Sequence, residues 1–181
     1  MKLSSAVSSS LVGTLLLSCV APGFARAEVL VDFGVNSAHV DAKIANIQPF
    51  VTTSGSGYHV GVGIRRALEH GSYGVRLEIE DVASNQLIAV RAFDYKHAFS
   101  ERLSVGGFIG AGRLDLATPA MGYWLGGSVE YDFSPRWAIS IDLHYGDRMA
   151  RDNLLPTDPQ GGSPDNFYSV RGVAVYLSRR F

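Results

Sequence analysis

Apolar and polar residues alternate in segments that recur along the chain. From Trp137 to Tyr145 the odd positions are apolar or aromatic and the even positions are small or polar. The segment from Phe167 to Phe181 repeats this alternation. Successive side chains of a β-strand point to opposite faces, so each segment predicts a strand with one apolar and one polar face. About eight segments of roughly 10 residues are typical of a transmembrane β-barrel.

The pattern predicts eight strands. They cover residues 28–38, 58–68, 72–82, 86–99, 102–113, 121–133, 137–147 and 167–181. The fourth is irregular, because Val90 falls in the alternation on the face of Asp94 rather than on that of Phe93. A β-bulge near Ala92 restores the pattern, since a bulge shifts the facing by one residue. Residues 41–51 can extend either neighbouring strand.

The predicted connections alternate in length. Those near residues 69–71, 100–101 and 134–135 are short, whereas those near 83–85, 114–120 and 148–166 and between the first two strands are longer. Outer-membrane barrels have short periplasmic turns and longer extracellular loops. We therefore expect both termini on the periplasmic side, and residues 147–166, with three prolines, as the largest outer loop.

The polar face combines many glycines with charges of both signs. Small residues suit the narrow interior of an eight-stranded barrel, so we predict that this face lines the lumen. The predicted lumen network comprises Arg65, Arg76, Glu78, Glu80, Asp94, Lys96, Glu130, Asp132, Asp142 and His144. Buried charges need partners, and we expect Arg65 and Arg76 to pair with some of these carboxylates. The alternative is a soluble barrel of the lipocalin kind, with its apolar face inside.

The apolar face carries aromatic residues toward the strand ends. The predicted membrane-interface aromatics are Tyr73, Tyr123, Tyr131, Trp137, Tyr145 and Phe181. Aromatic belts of this kind mark membrane–water interfaces, and closure of the sheet satisfies every backbone group in lipid. The predicted fold is therefore an all-β, eight-stranded antiparallel up-and-down transmembrane barrel.

The first 27 residues are typical of a cleaved secretory signal peptide. Lys2 precedes an apolar stretch at 11–20, and Ala25-Arg26-Ala27 forms a small-residue cleavage site. The barrel domain is then 28–181. The alternative is lipidation at Cys19, since residues 16–19 resemble a lipobox. Loss of Lys2 and Arg26 leaves 14 of the 16 basic residues against 17 acidic ones, a net charge of −3. No strong basic patch indicates a nucleic-acid partner.

Candidate chemistry is sparse. Ser140, Asp142 and His144 share one strand face and are the residue types of acyl transfer. Same-face neighbours on a strand are about 7 Å apart, beyond direct hydrogen-bond reach, so we predict a structural network and no catalytic residues. His39, His59, His70 and His97 fall at predicted strand ends or turns with unrelated spacings. The sequence predicts no metal site and no cofactor.

The closing segment Val173-Ala174-Val175-Tyr176-Leu177-Ser178-Arg179-Arg180-Phe181 resembles the C-terminal signal read by the barrel-assembly machinery. By its overall pattern the chain resembles the small eight-stranded outer-membrane proteins: the OmpA transmembrane domain, OmpX and the opacity-type adhesins. Arg179 departs from that family, where the third residue from the end is often aromatic.

The resemblance implies a Gram-negative outer membrane, contact with its lipid and lipopolysaccharide, and assembly through the strand ending at Phe181. It also implies a structural or adhesin-like role through extracellular loops, with an extracellular ligand that the sequence does not identify. The alternatives are a small passive channel and a lipid A-modifying enzyme.

Overall fold

The structure is a computed structural model that describes residues 27–44, 47–117, 119–151 and 166–181. The predicted signal peptide lies outside the described residues except for Ala27, where the first strand begins. Most of the predicted largest outer loop, residues 152–165, also lies outside them. No helix in the described ranges is long and apolar enough to cross a membrane.

Eight strands form one closed barrel in chain order. Their bounds are β1 Ala27–Ile44, β2 Ile47–Leu68, β3 Gly71–Val82, β4 Asn85–Ala98, β5 Leu103–Asp115, β6 Ala120–Ser134, β7 Trp137–Arg151 and β8 Asn166–Arg180. Each strand pairs antiparallel with its neighbour, and β1 pairs with β8, from Leu30 opposite Arg180 to Ile44 opposite Asn166. The predicted fold class is confirmed.

The apolar face points outward. Val62 and Ile141 are about half exposed on the outer surface, whereas Glu78 and Asp142 are fully buried inside. The lipocalin-like alternative, which places the apolar face inside, is therefore wrong. An outer surface this apolar is stable in lipid rather than in water, and the barrel is a transmembrane one.

β4 contains the bulge that its sequence pattern indicates. The register between β4 and β5 shifts between Arg91 and Phe93. Val90 and Phe93 both lie on the outer face, while Arg91 and Asp94 are buried in the lumen. The predicted bulge near Ala92 is confirmed, and it turns Arg91 inward.

The connections that the sequence predicts as extracellular differ from the prediction. The expected long connection between the first two strands is wrong, because β1 and β2 stay paired up to Ile44 opposite Ile47. Residues 41–44 thus extend β1, and residues 47–51 extend β2. The connection at Ala83 and Ser84 has only two residues, with φ angles of 51° and 66°. Two left-handed residues are what a type I′ hairpin turn requires. At this end of the barrel, the β1–β2 hairpin therefore projects farther than the β3–β4 hairpin.

The lumen-facing glycines of β5 allow a close approach of β4. A Cβ added at Gly110 would overlap the carbonyl oxygen of Val90, whereas one added at Gly127, which faces outward, would meet its nearest atom at 3.6 Å. We expect Gly110→Ala to lower the free energy of unfolding by about 1–3 kcal/mol and Gly127→Ala to change it by less than about 0.5 kcal/mol. Urea titration of the folded barrel, followed by tryptophan fluorescence, measures both. Equal effects of the two substitutions would show that β4 and β5 do not depend on this approach.

Candidate functional site

The lumen contains all ten side chains of the predicted network. Nine of them are at least 93% buried: Arg65, Arg76, Glu78, Glu80, Asp94, Lys96, Glu130, Asp142 and His144. Asp132 lies at the mouth where the chain termini meet, and there its side chain remains 23% exposed. The alternation along each strand places these residues inside. Which of them contact one another depends on how the strands are arranged around the lumen.

At the end of the barrel where the chain termini meet, the carboxylate of Glu130 binds several cationic side chains. Arg65 donates two hydrogen bonds to Glu130, at 2.7 and 3.0 Å, and Lys96 Nζ donates a third at 2.5 Å. Arg180 donates to the same carboxylate at 2.8 Å and also pairs with Asp132. Strands β2, β4, β6 and β8 are joined across the lumen through Glu130. The expected pairing of Arg65 is confirmed.

Arg76 forms the next layer of the network. Its Nη1 lies 2.8 Å from Asp32 Oδ2 and donates to the Tyr176 hydroxyl at 2.9 Å, while Nη2 lies 3.3 Å from Asp94 Oδ2. The expected pairing of Arg76 is confirmed. Asp32 and Tyr176 are lumen residues that the sequence prediction did not include, although both stand at inward positions of their strands.

Arg91 occupies the centre of the lumen, fully buried. It pairs with Glu78 and with Asp142, whose Oδ2 is 2.5 Å from Arg91 Nη2. Its guanidinium carbon lies 3.6 Å from the centre of the Phe108 ring. The predicted lumen network omits Arg91, although the predicted bulge near Ala92 places Val90 outward and so turns Arg91 inward.

Two histidines flank Glu80. His59 Nδ1 is 2.8 Å from Glu80 Oε1, and its ring stacks on Tyr176 with the ring centres 4.5 Å apart. His144 Nε2 is 3.7 Å from Glu80 Oε2, and its ring centre is 4.7 Å from that of Trp124. The prediction that His59 lies at a strand end or turn is wrong. β2 begins at Ile47, so His59 lies well inside the strand.

The three residues considered for acyl transfer are bound to different partners. Ser140 donates to Glu130 at 3.3 Å, and Asp142 accepts from Arg91 and from the Tyr176 hydroxyl at 2.8 Å. His144 faces Glu80. Within the described ranges, no group of three or more His, Cys, Asp or Glu side chains is placed to hold a metal ion. The arrangement pairs and buries charge across the lumen.

An apolar cluster fills the lumen on the other side of this network, toward the β3–β4 turn. Its members are Ala38, Val40, Val82, Ala83, Leu87, Ala89, Phe108, Leu114, Ala120, Trp124, Met149 and Val170. The alternation predicts an inner face that is polar throughout, and this apolar cluster differs from that prediction. Leu114 and Val170 are apolar residues at inward positions of their strands, and in the sequence they were the sign that part of the lumen is apolar.

The predicted interface aromatics all lie on the outer surface. Tyr123, Tyr131, Tyr145 and Phe181 are exposed, and Tyr73 and Trp137 are half-buried. Phe33 meets the Trp137 ring edge-on, with the ring centres 6.2 Å apart. Tyr123 and Tyr145 lie toward one end of the barrel and the other four toward the end where the termini meet.

Comparison with known proteins yields matches in structure only. No protein-family model matches the sequence, and no curated protein sequence matches it significantly. The solved structure of Ail, the attachment invasion locus protein of Yersinia pestis in complex with the heparin analogue sucrose octasulfate, matches with a TM-score of 0.51 at 12% identity. That match covers 86% of this chain and 99% of Ail.

Two further structures match at a lower level. Neisserial surface protein A matches with a TM-score of 0.49 at 13% identity, over 84% of this chain and 97% of its own. OprG from Pseudomonas aeruginosa matches with a TM-score of 0.49 at 12% identity, over 86% and 96%. The likeness to Ail shows that the chain has the fold of a small eight-stranded outer-membrane barrel.

Proposed function

We propose that this protein is a non-enzymatic barrel of a Gram-negative outer membrane that acts at the cell surface, where its extracellular hairpin and loops contact ligands. The observation that carries the proposal is the β1–β2 hairpin. It continues well beyond the apolar outer face of the barrel, and one of its edges has no partner strand in the described part of the chain.

The outer surface supports the proposed membrane position. Along β1 the outward row changes from Val35, at the end of an apolar run, to Ser37, His39 and Asp41. An apolar band of about 25 Å is typical of outer-membrane barrels. We place the termini and the short turn at Glu69–His70 on the periplasmic side, in keeping with a signal peptide at residues 1–27. Assembly would then proceed through the strand ending at Phe181, and lipopolysaccharide would meet the barrel near Arg148.

The hairpin supports the proposed surface role through its height and its order. From Ser37 to Ile44, β1 runs about 23 Å along the strand beyond the apolar row, at about 3.3 Å per residue. His39 and Ser54 lie 2.8 Å apart across the hairpin, and Thr52 donates to Asp41 at 2.6 Å.

The free edge of the hairpin belongs to β2. The β2–β3 ladder ends at His59 opposite Glu80, and within the described ranges no strand pairs with this side of residues 47–54. An unpaired strand edge in solvent offers backbone donors and acceptors to an extended peptide. An open edge on an ordered hairpin therefore favours a protein ligand over a small solute.

The filled lumen argues against the channel alternative. A path through the barrel meets the Arg91 layer and then the apolar cluster around Leu87, Leu114 and Met149, all fully buried. The interiors of small eight-stranded barrels are generally filled by side chains. The separate partners of Ser140, Asp142 and His144 likewise argue against a lipid A-modifying enzyme.

Replacing residues 39–54 by Asn-Gly tests the surface role. The two-residue turn closes the hairpin at Ala38 opposite Gly55, an existing pair of the ladder. We expect cells that display this variant to lose at least about tenfold of their adhesion to immobilised matrix proteins, because both the edge and the projecting strands are removed. Adhesion of cells displaying the full chain to the same surfaces is the reference.

Two controls accompany this experiment. Each variant must show a different gel mobility before and after boiling, which reports a folded barrel. A variant lacking residues 152–165 separates the hairpin from the last outer loop. Unchanged adhesion in both variants, together with stepwise conductance of the purified protein in planar bilayers, would replace the surface role by the channel role.

A further inference from the structure

Arg179 is a cation in a lipid-facing row. The outward residues before it on β8 are Val173, Val175 and Leu177, and its register partners are Trp137 on β7 and Val31 on β1. A lone charge on the lipid face of a barrel costs free energy that grows with depth, so a partner near the interface stabilises it. The family resemblance leaves Arg179 unexplained, because an aromatic residue often stands at this position.

Two aromatic rings hold this guanidinium at the membrane border. The Arg179 guanidinium carbon lies 4.6 Å from the centre of the Phe181 ring and 5.5 Å from that of Trp137. Cation–π contacts at these distances stabilise an exposed cation. Neither ring supplies an oxygen acceptor, so these contacts leave the N–H donors of Arg179 available to an anionic ligand.

A cavity of about 370 Å³ adjoins Arg179. It is lined by Glu28, Pro135, Arg136, Arg179, Arg180 and Phe181. Arg180 is already bound to Glu130 and Asp132. Among the described residues, neither Arg136 nor Arg179 has a carboxylate within 4.0 Å. The cavity thus presents two guanidinium groups, at the edge of the apolar belt, that pair with no carboxylate in the described part of the chain.

We propose that this cavity binds the phosphate group of an anionic phospholipid from the periplasmic leaflet. Guanidinium groups bind phosphate through paired, charge-assisted hydrogen bonds. Glu28 adds a negative charge at the cavity, which disfavours a doubly charged phosphate monoester relative to the singly charged diester of a phospholipid. The acyl chains then lie along the outward row of Val31, Val175 and Leu177.

This inference depends on the barrel spanning a membrane in the proposed orientation, and it is independent of the surface role. Adhesion and lipid binding are separate measurements, so a failure of the first leaves the second intact. Native mass spectrometry of the barrel, purified from outer membranes in a neutral detergent, gives the affinity for single lipids. The probes are phosphatidylglycerol and phosphatidylcholine with identical acyl chains.

We expect phosphatidylglycerol to bind at least about tenfold more tightly than phosphatidylcholine. The double variant Arg136→Gln/Arg179→Gln is expected to remove this preference, because both free phosphate donors are lost. Arg102→Gln, in the exposed turn between β4 and β5 on the same side of the membrane, is the matched control and is expected to keep it. All variants are first checked for the mobility shift on boiling.

Three results would overturn the proposal. Equal affinities of the unaltered barrel for the two lipids would show that the cavity does not select an anionic headgroup. Loss of the preference in Arg102→Gln as well would assign it to general surface charge. Displacement of phosphatidylglycerol by an equimolar amount of inorganic phosphate would assign the site to free phosphate rather than to lipid.

Discussion

Glu130→Ala is expected to lower the free energy of unfolding by about 3–5 kcal/mol, the cost of breaking a buried ion pair by removing one partner. Glu130 is the carboxylate that both Arg65 and Lys96 contact, and these two cations are at least 93% buried. Its removal leaves two unpaired charges in the lumen, while Arg180 keeps Asp132. The midpoint of urea unfolding in detergent micelles, with boiled and unboiled gel mobility as a second readout, measures the loss.

A compensating substitution distinguishes this electrostatic cause from simple loss of packing. Lys96→Met added to Glu130→Ala removes one of the stranded charges, and we expect it to restore about 1–2 kcal/mol of the free energy of unfolding. Glu101→Ala, at an exposed turn on the side of the chain termini, is the control and is expected to change the midpoint little. If the double variant is less stable than Glu130→Ala, the ion pairs are not what stabilises this layer.

Arg91→Met is expected to destabilise the barrel by a similar amount, about 3–5 kcal/mol. Methionine keeps an unbranched apolar side chain beside Phe108 but removes the cation between Glu78 and Asp142. Glu78 then keeps a hydrogen bond from Trp124 at 3.2 Å, and Asp142 keeps the Tyr176 hydroxyl. Two facing carboxylates remain without their shared positive partner in a buried site. The temperature at which the folded gel band disappears checks this prediction.

Arg148→Met provides the matched control for Arg91→Met. The Arg148 side chain is 78% exposed and lies 4.0 Å from Asp147, and surface pairs of this kind contribute about 0–1 kcal/mol. Equal transition temperatures for Arg91→Met and the unaltered protein would mean that the central charges of the lumen are satisfied without Arg91.

The charged network of the lumen supports the proposed surface role by stabilising the barrel that carries the hairpin. A lumen joined by Glu130 and Arg91 ties together strands on opposite sides of the barrel, and a rigid barrel holds the β1–β2 hairpin at a defined height above the membrane. The apolar cluster beyond Arg91 closes the same lumen toward the β3–β4 turn. The proposed binding functions therefore lie on the surfaces of the barrel, at the β1–β2 hairpin and at the cavity beside Arg136 and Arg179.

The facing of the strands was predictable from the sequence because it is a local property. A strand exposes alternate residues on alternate faces, so the positions of Val62, Glu78 and Asp142 followed from parity and from the kind of polar residues present. Even the bulge near Ala92 left a trace, since Val90 and Phe93 are both apolar yet differ in parity. The same bulge implies an inward Arg91, since Val90 then faces outward, but the partners of Arg91 became visible only in the structure.

Other features depended on how far each strand continues. Residues 41–51 contain Asp41, Lys43 and Pro49 and carry no clear alternation, which is typical of a loop. Residues 41–44 continue β1, whose backbone pairs with β2 on one side and with β8 on the other up to Ile44, whereas residues 47–51 continue β2 through their pairing with β1 alone. The wrong prediction for His59 has the same cause. Because β2 begins earlier than predicted, His59 lies inside the strand and faces the lumen rather than lying at a strand end.

The sequence by itself determined the number of strands, their order, the face that meets lipid and the charged character of the lumen, because each of these follows from the period of two and from composition. Only the tertiary structure decided which charges meet, how high each hairpin stands and where apolar residues close the interior. Those features depend on register across the closed barrel, where Arg65 and Glu130 are 65 residues apart in the chain. No local pattern carries information about partners at that separation.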